Sequence, residues 1–183
     1  MDMKNMIAQA FAEMVRQKGI DKVTVKSLIE SCCISRQTFY YHFQDLVEVI
    51  EWSLERAVEE MLSQSLQAET PGKAIEVFVS STAENYGLIC KLMESRKRAQ
   101  MENMLLKASR KYFEQLLLAR CPEPLLPYSD WEVLLDFWAC GVTGLLFKYC
   151  GRKQPDIKML SEQIYRLLSE QMLGSIKLSE TEK

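Results

Sequence analysis

The chain has 183 residues, 48% hydrophobic and 26% charged, enough for one large domain or two small ones of an ordinary globular protein. Seven Gly and five Pro are few, strand-like alternation of Val, Ile and Thr is scarce, and helix formers dominate, which excludes a β-rich fold. The formal net charge of −2 counts mildly against nucleic-acid binding.

The opening MDMKNMIAQAF carries an acidic residue at once and no apolar run, so no signal peptide is expected. A first helix is predicted over about 4–18, with Ile7, Ala10, Phe11, Met14 and Val15 on one face and Gly19 as its stop. A short second helix follows over about 25–31, with Thr24 as its cap and Val25, Leu28 and Ile29 turned inward. Cys32, Cys33 and Ile34 make a tight connection, and Ser35 caps a third short helix over about 36–43. Asp45 with Glu48 reads as a capping box for a long fourth helix bearing Val47, Ile50, Leu54, Val58, Met61 and Leu62.

Thr70 and Pro71 open the next part, with a cap and a proline suited to the first helical position. Helices are predicted over about 72–86, 88–94, 98–120, 130–150 and 156–173. A Pro-rich loop at 121–129 separates the helices at 98–120 and 130–150, Ser129 with Glu132 reads as another capping box, and the SETEK tail is expected to fray. The short helices end near residue 50, which puts one domain at 1–50 and a larger helical one at 51–183.

Residues 34–43, ISRQTFYYHF, are unusual for a soluble helix, polar in the first turn and aromatic in the second. Two short helices joined by a tight turn and braced by a longer one make a helix-turn-helix, whose second helix lies in the DNA major groove. That geometry accounts for the composition. Arg36, Gln37 and Thr38 supply hydrogen-bonding tips for base edges, and Tyr40, Tyr41 and His42 can reach phosphates. Phe39 and Phe43, four apart, anchor the helix inward. The alternative is a helical hairpin whose aromatic residues simply pack.

The segment VTVKSLIESCCISRQTFYYHFQDLVEVI, residues 23–50, resembles the signature segment of the TetR family of bacterial transcription regulators. Thr24, Val25, Leu28, Ile34, Ser35, Thr38, Phe39, Tyr40, His42 and Phe43 match that pattern as they stand. The wording RQTFYYHF, the length and the later DFWACGVTGLLFKYCGRKQPDIKML further resemble the subgroup typified by activators of dihydroxyacetone kinase operons. The resemblance implies an all-α fold of about nine helices, cytoplasmic, homodimeric on a palindromic operator of double-stranded DNA, with Thr24, Val25 and Ser35 also on the DNA side. Two positions depart from it. Cys33 stands where the family usually has Gly, and Leu46 where it usually has a phosphate-contacting Lys. Residues 1–50 hold six Lys/Arg and six Asp/Glu, so the module is formally neutral.

The predicted helix 130–150 is apolar on two faces. Trp131, Leu134, Leu135, Trp138, Val142 and Leu145 form one stripe; Val133, Phe137, Cys140, Gly144 and Phe147 form the other. One can serve the core and the other needs a partner, with Ala139, Gly141 and Gly144 allowing close approach. The last helix adds a seam of Ile157, Leu160, Ile164 and Leu167. A four-helix dimer interface is therefore expected around Trp138, Gly141, Leu145, Ile157, Leu160, Ile164, Leu167 and Leu168, the alternative being a wholly internal core. Phe78, Tyr86, Met93, Met101, Met104 and Tyr112 suit an apolar effector cavity or an ordinary core equally. The basic run ESRKRAQ, residues 94–100, suits a solvated loop, an anionic ligand or a protein coregulator.

No Ser/His/Asp grouping, phosphate loop or metal spacing accompanies the lone His42, so neither enzyme, cofactor nor metal is expected. The six cysteines, 32, 33, 90, 121, 140 and 150, form no CxxC pair and read as reduced thiols. The longest uncharged stretch, Phe137 to Phe147, is short of the roughly 18 residues of a membrane span. A second reading stays open, that of a helical interaction module of the same fold with weak or lost DNA binding.

Overall fold

The structure, a computed structural model, describes residues 2–120, 127–151 and 156–181, with side chains to residue 169. Most of the expected Pro-rich loop, together with Cys121, and the last two residues of the tail lie outside these. The described residues form α-helices and one 3-10 turn and contain no strand. The order is α1 (Met3–Lys18), a 3-10 turn (Ile20–Lys22), α2 (Val25–Cys32), α3 (Arg36–His42), α4 (Leu46–Gln67), α5 (Pro71–Glu84), α6 (Tyr86–Met93), α7 (Arg98–Arg120), α8 (Tyr128–Cys150) and α9 (Ile157–Thr181). The chain divides into two compact units, Met1–Ala57 with Gly87–Leu105, and Val58–Tyr86 with Leu106–Lys183. Residues 87–105 thus pack with the N-terminal helices, which a boundary drawn by chain position at residue 50 does not describe.

The first unit is built on apolar residues at helical spacing. Ile7, Phe11 and Val15 of α1 meet Leu28 and Ile29 of α2, Phe39 and Phe43, Val49 and Ile50 of α4, and Leu92 and Met101. Phe39 and Phe43 are fully buried, and truncating either to Ala would cost about 3–5 kcal/mol on general experience of core phenylalanines. Gly19 ends α1 at φ 76°, donating its N–H to the Val15 carbonyl, a backbone conformation that suits glycine.

The second unit is centred on Tyr112. Its ring stacks on Phe78 at 4.7 Å, and Phe113 meets Trp138 edge-on at 5.9 Å. The Tyr112 hydroxyl donates to the Ala74 carbonyl (3.0 Å) and lies 2.7 Å from the Ser65 hydroxyl. Burial pushes the Tyr112 pKa up to about 12 against the opposing pull of Ser65 and Arg120, so the phenol stays neutral. Arg120 closes α4 by donating to the Ser65 and Ala68 carbonyls, at 2.8 and 2.9 Å. Of the six middle residues considered for a cavity, Phe78, Tyr86 and Tyr112 belong to this core, and Met93, Met101 and Met104 to the other.

The caps explain where the helices start. Thr70 accepts from the Lys73 N–H at 3.2 Å with Pro71 at the first position, as its sequence suggests. The Ser129–Glu132 capping box is not formed. The Ser129 hydroxyl donates to Asp130, Glu132 is drawn to Arg110 at 2.6 Å, and α8 starts at Tyr128. Arg110 also binds Asp136 at 3.0 Å and so ties α7 to α8.

The structure sorts the two stripes of α8. Trp131, Leu135, Trp138, Val142 and Leu146 are core, whereas Val133 and Phe137 are 68% and 56% exposed, with Cys140, Gly141 and Gly144 exposed beside them. The residues expected at a dimer interface therefore divide. Trp138, Leu160, Ile164 and Leu168 are buried in the unit's own core, Leu145 and Ile157 pack partly against it, and only Gly141 and Leu167 are exposed. In that core the four buried residues join Ile75, Phe78, Val79, Phe113 and Leu135 in one apolar cluster. By length and composition α8 is apolar enough to cross a membrane, although no uncharged stretch in it is that long. One stripe of it, Trp131, Leu135, Trp138, Val142 and Leu146, is buried in the unit's core.

Candidate nucleic-acid interface

The candidate site is the outer face of α3 with the turn and caps that aim it. Thr24 starts α2 with a reciprocal box, accepting from the Ser27 N–H at 3.1 Å while the Ser27 hydroxyl accepts from the Thr24 N–H at 3.1 Å. Ser35 starts α3, accepting from the Thr38 N–H at 3.0 Å. Its hydroxyl also lies 2.8 Å from that of Thr38, so both are engaged in shaping the helix start. Asp45 starts α4 by accepting from the Val47 and Glu48 N–H groups at 2.8 and 2.9 Å, and Glu48 reaches back to the Gln44 N–H rather than to that of Asp45.

With both phenylalanines inward, helical spacing turns the rest of α3 out in pairs four apart. Arg36 with Tyr40 and Gln37 with Tyr41 are exposed, and Thr38 with His42 is half-buried. Tyr41 is open at 84% and stands edge-on to His42 at 5.0 Å; Tyr40 is braced edge-on by Phe39 at 5.4 Å. Of the expected α3 residues, Arg36, Gln37, Tyr40 and Tyr41 are thus open and Thr38 and His42 lie at the edge of the buried side. Val25, expected on the DNA side, is half-buried and packs against the unit's core, while Thr24 is exposed.

One residue escaped the sequence reading. Lys4 of α1 sets its ammonium 5.2 Å from the centre of the Phe43 ring, at the C-terminal end of α3. Thirty-nine positions of sequence separate the two, and only the fold joins them.

Comparison with known proteins decides the type of this unit. Residues 7–49 match the family described as bacterial regulatory proteins, tetR family. Residues 7–49 are thus similar to a tetR-family helix-turn-helix segment, and the chain shares the fold of solved TetR regulators. The DhaS activator of the dhaKLM operon from Lactococcus lactis subsp. lactis (strain IL1403) is 27% identical over 62 residues, 34% of this chain. That match spans about a third of the relative's length, 33%. In three dimensions the chain is similar to a dihydroxyacetone kinase operon activator DhaS, with TM-score 0.69 and 18% identity over 92% of this chain and 95% of that one. It is also similar to a TetR regulator from Streptococcus agalactiae 2603V (0.63, 16%, 90% and 92%) and to a regulator from Aquifex aeolicus VF5 (0.59, 21%, 92% and 98%).

Within this TetR-like unit the two departures have distinct physical outcomes. Cys33, in place of the usual Gly, ends α2 in the left-handed region at φ 54°, ψ 39°. Its N–H donates to the Glu30 carbonyl, and the Ile34 N–H donates to that of Ile29, so the turn is hydrogen-bonded as a glycine turn would be. Leu46 is half-buried against the unit's core and is an anchor for α4. A left-handed non-glycine residue costs about 1–2 kcal/mol, partly offset because glycine frees the unfolded chain. Cys33→Gly is therefore expected to stabilise the protein by roughly 0.5–1 kcal/mol, read as a higher urea midpoint at unchanged slope. A lower midpoint would show that the turn carries no strain.

Proposed function

We propose that the chain is a sequence-specific DNA-binding transcription regulator, a homodimer on a palindromic operator, controlled by a small-molecule or protein effector. The observation that carries this reading is the outer face of α3, where Arg36, Gln37, Tyr40 and Tyr41 stand exposed on a helix backed by two fully buried phenylalanines. A surface rich in tyrosine, mounted rigidly and joined to guanidinium and amide tips, suits base edges within the groove and phosphates at its walls. Arg36 and Gln37 are the base readers, Tyr40, Tyr41 and His42 the groove-wall contacts, and Thr24, Ser35 and Thr38 fix the helix starts against the backbone. Lys4 supplies a cation near the end of α3 that Leu46 does not.

Self-association is supported by α8. Its exposed stripe of Val133, Phe137 and Cys140 continues over Gly141 and Gly144, and among the described residues nothing beyond the adjoining helix backbone comes within 4 Å of where a Cβ would stand on either glycine. A second helix could approach closely there. Two such chains would hold two recognition helices about 34–36 Å apart, or somewhat more, over successive major grooves. The alternative, an interaction module with weak DNA binding, draws on the neutral charge of residues 1–50 and on the anchoring of Leu46.

Fluorescence anisotropy against the DNA upstream of the gene, at two salt concentrations, separates these readings. Binding that weakens with salt, and weakens by a further factor of about 10–100 in Arg36→Ala, is the expected result. Equal affinity for every duplex, unchanged in the variant, would favour the interaction module. Sedimentation tests the assembly separately: Phe137→Glu, on the exposed face, should shift the protein from two chains to one without lowering its helix content. A wild-type monomer at micromolar concentration would remove the dimer from the account.

A further inference from the structure

The first unit carries a second concentration of charge, away from the residues of α3. The segments 16–22 and 91–98 contain Arg16, Lys18, Lys22, Lys91, Arg96, Lys97 and Arg98 against only Asp21 and Glu94, in a chain of net charge −2. The end of α1, the 3-10 turn and the end of α6 enclose a groove of about 380 Å³ whose lining includes Lys18, Lys22, Lys91, Gln17 and Ser95. Such a volume lies at the lower end of small-ligand sites, about 300–1,000 Å³.

Both carboxylates of the groove are already engaged. Asp21 accepts from the Arg96 N–H at 3.2 Å, and Glu94 accepts from Lys91 at 2.9 Å. Among the described residues Lys18 and Lys22 have no ion-pair partner. Lys18 and Lys91 sit in the last turns of their helices, where a cation also complements the helix dipole. Lys22 ends the 3-10 turn, outside both helices, and has no such role.

We propose that this groove is a binding site for a small, polar phosphorylated molecule, held by Lys18, Lys22 and Lys91. A phosphate group brings close to two negative charges and several acceptor oxygens, which suit lysine ammonium groups as point charges, and Lys91 keeps two further N–H donors beside the one on Glu94. Apart from Ile20 and Gly19, the lining residues are polar or charged. The proposal does not depend on DNA being the partner of α3.

The test is a titration of the ¹⁵N-labelled full chain with inorganic phosphate and with pyrophosphate, at constant ionic strength set by sodium chloride. Saturable shifts at the amides of residues 19–22 and 94–97 are expected, with a Kd about tenfold higher in Lys18→Gln/Lys22→Gln as two charge-assisted contacts are lost. Lys22→Gln alone, which leaves both helix ends untouched, should weaken binding in the same direction, and thermal melts check that each variant is folded. Shifts that never saturate and match those of chloride, or saturable shifts that survive in the double variant, would overturn the proposal. So would a double variant that loses DNA affinity while phosphate gives no saturable shift, since the groove would then be a contact for the DNA backbone.

Discussion

Everything assigned to α3 depends on the burial of Phe39 and Phe43. A seven-residue helix is too short to hold itself in water, since helix nucleation is costly and few of its backbone bonds are internal. Two rings sunk among Ile7, Phe11, Leu28 and Ile50 supply the stability and fix the rotation of the helix. Once that rotation is set, the remaining side chains have no choice of direction. Caps at both starts, Thr24 for α2 and Ser35 for α3, sharpen the same result by defining where each short helix begins.

The outer surface is thus sparse in charge and rich in adaptable rings. Tyrosine offers contact area at small entropic cost. Affinity on such a surface must come from shape and specific hydrogen bonds more than from bulk attraction. The unit's positive charge lies largely at the end of α1 and around α6 to α7, where Asp21 also holds the Arg96 backbone.

Much of this was legible in the chain. The α3 pattern, its inward phenylalanines and the caps of α2 and α5 are local matters, governed by helical spacing and side-chain reach, and they were readable in sequence. The two stripes of α8 were readable as well, but not which of them the chain would bury. Trp138, Ile164 and Leu168 look as suitable for a partner as for a core, and only the packing of α5, α8 and α9 decides between the two. Lys4 beside Phe43, the recruitment of Glu132 by Arg110 and the joining of residues 87–105 to the first unit are long-range events. No local periodicity encodes them.

The central claim is that exposed residues of α3 choose a DNA sequence. The most direct measurement is selection of bound fragments from a fragmented genomic pool, wild type beside Gln37→Ala. The account predicts enriched fragments sharing an inverted repeat with half-sites about one helical turn or slightly more apart, and a relaxed preference at one base of each half-site in the variant. A bound pool with no shared sequence, identical for the two proteins, would contradict it.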